Sequence, residues 1–325
     1  MARPVLQPVA VVVAGRLART ALVLLGAATL VFLVVRLVPG DPAVSILGDQ
    51  ASPEQLAALR ERMGLDLPLG EQYGRFLSEI ADGSLGTPLG SASPGVTVRS
   101  RILDVLPFTI ELALTAVLVA SLIALPLGIL AALRRRSLAD SLSLAATLVG
   151  LAMPTFWLGP LLIYLLCVHW PLLPDPASGV TGWTSLVLPA CILGLALSAR
   201  LTRMVRSSVL DVLREPYVAA AYARGLPHLR VIVRHVLRNA LVPVVTVLGL
   251  QFAALLSGAL VTEKVFARPG IGTLLIDAVA RRDYALVQGT TLFIGVVYVL
   301  VNLCVDVAYL FVDPRIARGS RREGA

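Results

Sequence analysis

The sequence predicts an all-α polytopic membrane protein with six transmembrane helices. Three observations carry that expectation. Of 325 residues, 57% are hydrophobic and only 15% are charged, against about 25% charged in soluble domains. Mean hydropathy is +0.84. The apolar residues also gather in six runs, each close to the roughly 20 residues a spanning helix needs. This composition excludes a soluble enzyme and a disordered chain.

The first span is expected at Thr20–Val38. It is longer than the apolar core of a typical signal peptide and precedes a long polar stretch, so it reads as an uncleaved helix. The second is placed at Thr109–Leu133, the third at Leu144–Val168 and the fourth at Ser185–Leu201. The fourth is short and carries Pro189. The fifth is placed at Ala240–Thr262 and the sixth at Leu286–Phe311. Pro126, Pro154 and Pro189 fall inside these runs, and membrane helices tolerate proline there.

The formal net charge is +8, and Lys264 is the only lysine. The arginines sort by side. Arg3, Arg16 and Arg19 precede the first span, and Arg134, Arg135 and Arg136 separate the second from the third. Eight more lie between Arg200 and Arg238, and four follow the last span. Eighteen basic residues therefore share one side and nine the other. Positively charged loops stay in the cytoplasm, which predicts both termini there. Topology thus accounts for the basic charge without nucleic acid.

The expected organisation is a tail and first span over 1–38, an external loop over 39–105, a five-helix core over 106–312 and a basic tail over 313–325. Within the loop, Ser52 suits an N-cap and Pro53 the first helical position. Leu56, Leu59 and Met63 follow at helical spacing, and Gly64 suits the stop. Between the last two spans, Glu263–Tyr284 reads as a turn at Pro269-Gly270 and then a short amphipathic helix with Leu274, Leu275, Ala278 and Val279.

The basic segment 203–239 is the most informative. Pro216 suits the start of a helix and Gly225 its end. Between them run Tyr217-Val218-Ala219-Ala220-Ala221-Tyr222-Ala223-Arg224. Such a helix offers small side chains, which let another protein approach closely. Pro227 then opens a second helix. Its stripe of Leu229, Ile232, Val233 and Val236 and its separate row of Arg230, Arg234 and Arg238 predict an interfacial helix on anionic headgroups.

Catalytic patterns are missing from the sequence. It has no G-x-x-x-x-G-K-[S/T] phosphate loop. His169, His228 and His235 lack metal or triad spacing. Cys167, Cys191 and Cys304 sit far apart in apolar runs and read as inert thiols. Glu111 and Asp306 lie near span ends, where a structural role is expected; Asn302 and Asp306 stand at i, i+4.

Several runs resemble the first, B-type permease subunit of dipeptide, oligopeptide and nickel ABC importers. They are Arg36-Leu37-Val38-Pro39-Gly40-Asp41-Pro42, Met153-Pro154-Thr155-Phe156-Trp157-Leu158-Gly159, Pro216-Tyr217-Val218 to Gly225-Leu226, and Arg234-His235-Val236-Leu237-Arg238-Asn239-Ala240-Leu241-Val242-Pro243. Further on come Glu263-Lys264-Val265-Phe266, Pro269-Gly270-Ile271-Gly272, Arg282-Asp283-Tyr284, Val287-Gln288-Gly289 and Asp313-Pro314-Arg315. Their order covers nearly the whole chain. Where the wider family has Glu-Ala-Ala, three residues and Gly, this chain has Ala219-Ala220-Ala221 and Gly225, as the peptide branch does. The later Leu-x-Pro element is Leu241 and Pro243.

The resemblance implies a type I ABC importer permease fold in the bacterial inner membrane. It implies a second homologous permease, two cytoplasmic ATPases that carry ATP and Mg, and an external binding protein. It makes Pro216–Arg224 the coupling helix, with Pro216, Tyr217, Ala219, Ala220, Ala221, Arg224, Gly225 and Leu226 as the docking residues. Short peptides are the implied substrate, with nickel chelates or glutathione-like molecules as alternatives. No cofactor is expected on this chain itself. A stand-alone carrier would instead show an internal repeat and polar groups at mid-membrane.

Overall fold

A computed structural model describes residues 6–37, 40–48, 51–89, 95–138, 140–141, 145, 153–179 and 182–312. Helices make up the secondary structure of the described residues. Five of these helical stretches are long and apolar enough to cross a bilayer: Thr20–Leu37, Val98–Leu133, Trp183–Leu213, His228–Leu256 and Tyr284–Cys304. The expected third span falls partly outside the described residues. Its described part does not run on as one helix. Pro154 has extended backbone (φ −66°, ψ 131°) and caps a new helix at Thr155–Ile163. A residue before which the α conformation is disfavoured and which lacks an N–H starts a helix readily.

In chain order the helices are α1 (Leu6–Leu37), α2 (Pro42–Leu47), α3 (Pro53–Met63), α4 (Leu69–Ala81), α5 (Val98–Leu133), α6 (Thr155–Ile163) and α7 (Trp183–Leu213). They continue as α8 (Pro216–Ala223), α9 (His228–Val231), α10 (Arg238–Gly258), α11 (Leu260–Val265), α12 (Ile271–Ala280) and α13 (Tyr284–Val312). Several of the expected spans end too early or start too late. The helix at the second begins at Val98, and that at the fourth runs on to Leu213. The apolar run marks only what lipid covers; the polar overhangs of the same helices leave no such mark.

The chain forms two compact units, Met1–Pro107 with Pro269–Val299 and Phe108–Arg268 with Leu300–Ala325. In the first, α3 begins as expected: the Gln55 N–H donates to Ser52 Oγ, and the Ser52 N–H donates to Gln55 Oε1. This reciprocal box satisfies two donors that a helix start leaves open. Gly64 closes α3 at φ 65°. Asp41 caps α2 by accepting from the Ala43 N–H at 2.8 Å, and it pairs with Arg60. Phe32 of α1, Phe76 of α4 and Leu292 of α13 share one apolar cluster. The buried Asp283 accepts from the Leu89 and Leu286 N–H groups, which ties the end of the loop to the start of α13.

In the second unit, α5 and α7 approach closely at two glycines. A Cβ on Gly194 would stand 2.6 Å from Val119 Cγ1. One on Gly128 would stand 2.7 Å from Val205 Cβ and 2.8 Å from the Thr202 carbonyl oxygen. Lipid provides little apolar driving force between helices, so close packing at small residues holds them. Gly128→Ala is expected to push backbone from backbone and to cost about 1–3 kcal/mol. Thermal unfolding in detergent will read that loss, and an unchanged midpoint will count against this packing.

At one end of this unit lies a polar cluster. Arg268, 6% exposed, donates to Glu111 Oε2 at 3.0 Å and to Ser185 Oγ at 3.4 Å. Thr109 Oγ1 donates to Glu263 Oε1 at 2.6 Å, and Glu263 is 1% exposed. Glu111 therefore has the structural partner expected for it. Arg268 is buried although it lies in the stretch between the last two spans. Arg268→Ala is expected to destabilise the fold rather than merely trim the surface, so a measured unfolding midpoint within a degree of wild type will contradict this role. The side chain of Asp306 lies outside the described residues, as do residues 313–325.

Candidate functional site

The site is built on α8. Helix α7 ends at Leu213, and Glu215 adopts extended backbone (φ −69°, ψ 138°). Pro216 then starts an eight-residue helix with its φ already set. At the far end Gly225 takes φ 76° and donates its N–H to the Tyr222 carbonyl at 2.9 Å. The Leu226 N–H reaches the Ala221 carbonyl at 3.4 Å. Both ends thus follow from single residues whose backbone preferences match the turn.

Two side chains of α8 point inward. Val218 and Ala221 are 1% and 6% exposed. They sit in a cluster with Val205 and Val209 of α7, Val231 of α9, Ile232 and Val236, and Ala240 and Val244 of α10. The helix is therefore packed against α7, α9 and α10 through this cluster. Ala221 belongs to this buried face and not to a docking surface, because it follows Val218 by three residues on the same side. Leu226 is half-buried against the same cluster.

The remaining expected residues are on the outside. Pro216, Tyr217, Ala219, Ala220, Arg224 and Gly225 are all exposed. Two tyrosines flank the small alanines, and each is held. Asn239 Nδ2 donates to Tyr217 Oη at 2.8 Å, and Tyr222 Oη hydrogen-bonds His228 Nδ1 at 2.9 Å. The Tyr222 and His228 rings stack at 5.9 Å. His228 is exposed, yet it holds Tyr222 in place. The surface is thus a shallow patch of alanine between two fixed aromatic walls.

The second helix of the segment differs from its expectation. It is not a separate interfacial helix. Residues Ile232–Leu237 form a π-helical turn that joins α9 to α10, and His228–Leu256 is one spanning stretch. The wider turn shifts the inward positions to Val231, Ile232 and Val236. Leu229 and Val233, placed in the apolar stripe by α-helical spacing, are 74% and 56% exposed. Arg230, Arg234 and Arg238 are exposed as expected.

One ion pair braces the region, and it is not apparent from local pattern. Asp140, 5% exposed, accepts from Arg206 Nε at 2.7 Å and Arg206 Nη2 at 2.9 Å. The Arg136 N–H adds a third bond at 3.0 Å, from a residue with φ 63°. The Arg206 hydrogen bonds and then the Arg136 N–H hold the Asp140 carboxyl down at about 2. This fork ties the segment after α5 to the extension of α7 that leads into α8.

The described residues hold no group of three or more potential metal ligands. What the site offers is an exposed patch of small side chains on a helix anchored in the bundle.

Residues 124–318 match the family model for the binding-protein-dependent transport system inner membrane component, and residues 10–113 match that family's N-terminal model. The chain belongs to the binding-protein-dependent transport system inner membrane component family. It is 39% identical over 322 residues to the dipeptide transport system permease protein DppB of Escherichia coli strain K12, covering 90% of this chain and 94% of that one. It is 40% identical over 294 residues to the glutathione transport system permease protein GsiC of Salmonella paratyphi A, again covering 90% and 94%. A solved amino acid ABC transporter structure with histidines aligns over 66% of this chain and 94% of its own, with a TM-score of 0.47 and 18% identity. Family membership makes this chain a membrane component of a transport system and removes the stand-alone carrier.

Proposed function

We propose that the chain is the permease subunit of an ATP-driven importer and forms half of a pathway for short peptides. The carrying observation is α8, whose exposed alanine patch is rigidly seated in the bundle through Val218 and Ala221. A helix so placed passes a push from a cytoplasmic ATPase to α5, α7 and α10 without bending. In this reading Pro216, Tyr217, Ala219, Ala220, Arg224 and Gly225 meet the ATPase, while Ala221 and Leu226 hold the helix in place. Both termini and α8 lie in the cytoplasm, supported by the arginine asymmetry, and the helices of 40–89 lie outside. The partners are a second homologous permease, two ATPases that carry ATP and Mg, and an external binding protein. ATP drives the cycle by favouring one arrangement of the bundle over the other.

Peptide is favoured as substrate by the DppB relative, with the GsiC relative supporting glutathione as the second reading. Affinity purification from the native membrane tests the assembly: two P-loop ATPases and a second permease are expected with the chain. The chain arriving alone, under conditions that keep other importers intact, will refute it. Uptake of labelled dipeptide against labelled glutathione in a deletion strain then separates the two substrates.

A further inference from the structure

The first unit contains a cavity of about 570 Å³ that the transport reading does not use. Its wall is made by the last turn of α1, by α2, α3 and α4, by residues 87–89 and by the first turns of α13. Arg36, Arg62 and Arg75 line it, and Glu79 is the one carboxylate on the wall among the described residues. Burial and then the charge of Asp82 raise the Glu79 carboxyl above its ordinary value, with Arg75 opposing.

Two of the polar groups are prepared in advance. The Arg36 guanidinium lies 3.5 Å over the Phe32 ring, and its Nε donates to Gln72 Oε1 at 2.8 Å. Gln72 is itself fixed, because its amide donates to the Leu65 and Leu67 carbonyls at 3.2 and 2.9 Å. The second group is Gln288. It is 5% exposed and lines the cavity, and its Nε2 has no acceptor among the described residues. A buried N–H left unmade is costly and calls for an acceptor. A cation would meet three arginines, and an apolar guest would leave Gln288 unmatched.

We propose that this cavity is a binding site for a small organic oxyanion, a carboxylate or phosphate, held by Arg36, Arg75 and the Gln288 amide. Arginine forks suit both groups. Ile46, Leu59, Met63 and Phe76 form an apolar side of the wall for the rest of such a molecule. The oxyanion comes either from a soluble compound or from a lipid headgroup, since α1 and α13 meet the cavity at the ends of their spans.

The test uses the full chain in nanodiscs of phosphatidylcholine, titrated with citrate and with inorganic phosphate, and in nanodiscs that also hold about 20% phosphatidylglycerol. The expected result is a saturable rise in unfolding temperature with one of these probes. Its apparent affinity should fall about tenfold in Arg75→Gln and in Gln288→Leu, a loss typical of one charged or buried hydrogen bond. Arg75 is exposed, so its variant tests the site even if Gln288→Leu folds poorly. A rise with citrate or phosphate in phosphatidylcholine assigns a soluble anion. A rise only with phosphatidylglycerol, with one lipid retained in native mass spectrometry, assigns a headgroup. No saturable rise with any probe, or an equal rise in Arg75→Gln and in the Arg62→Gln/Arg75→Gln double variant, overturns the proposal.

Discussion

Replacing Ala220 by tryptophan is expected to abolish substrate uptake while the protein still inserts and folds. Ala220 is exposed on α8, between Tyr217 and Tyr222, and contributes nothing to the buried cluster that Val218 and Ala221 join. An indole there fills the patch that a partner must enter. The loss expected is at least about thirtyfold, the equivalent of one interface hot spot of ~2 kcal/mol. Gly225→Ala is the companion experiment. A Cβ there meets no atom within 4 Å, but φ is 76°, so the change costs about 1–2 kcal/mol of strain without blocking the patch. Uptake should fall much less than in Ala220→Trp. Full uptake by Ala220→Trp, at normal membrane levels, would falsify docking through α8.

The second large effect concerns Asp140. Asp140→Asn leaves Arg206 without its carboxylate and removes an acceptor from the Arg136 N–H. A fully desolvated pair broken in this way loses about 3–5 kcal/mol. Water reaches Arg206, whose side chain is 23% exposed, so a loss of about 2–3 kcal/mol is expected. The pH dependence has a definite sign. The folded carboxyl titrates near 2, below its ordinary 3.8, so the pair stabilises the fold above about pH 4. That contribution disappears as pH falls from 4 through 2. Unfolding of wild type and Asp140→Asn should therefore converge on acidification. A constant difference between them across that range would show that the ion pair is not the source.

What could be read in the sequence was local. The Ser52 cap, the Gly64 stop and the limits of α8 at Pro216 and Gly225 each rest on a residue type suited to a helix end, read without any distant partner. Spans were legible where an apolar run coincides with the helix, as at Leu286–Phe311. The extensions at Val98 and Leu213 were not, because polar helix in water looks like loop. Nor was the Asp140–Arg206 fork, whose members are 66 residues apart. The inward turn of Ala221 was hidden by the uniformity of Ala219-Ala220-Ala221, in which composition gives no clue to direction.

The π turn at Ile232–Leu237 also bears on chain length. An α-helix advances about 100° per residue, and this turn accommodates one residue more than a regular helix would over the same rise. Removing a single residue there allows an ordinary helix to close and leaves the apolar faces of both flanks in phase. Removing one from the regular part of α10 instead swings every later side chain by about a quarter turn or more. Aligned relatives that differ by one position in this stretch are therefore to be gapped inside 232–237, and loop grafts that exchange α8 between permeases should be cut before that turn.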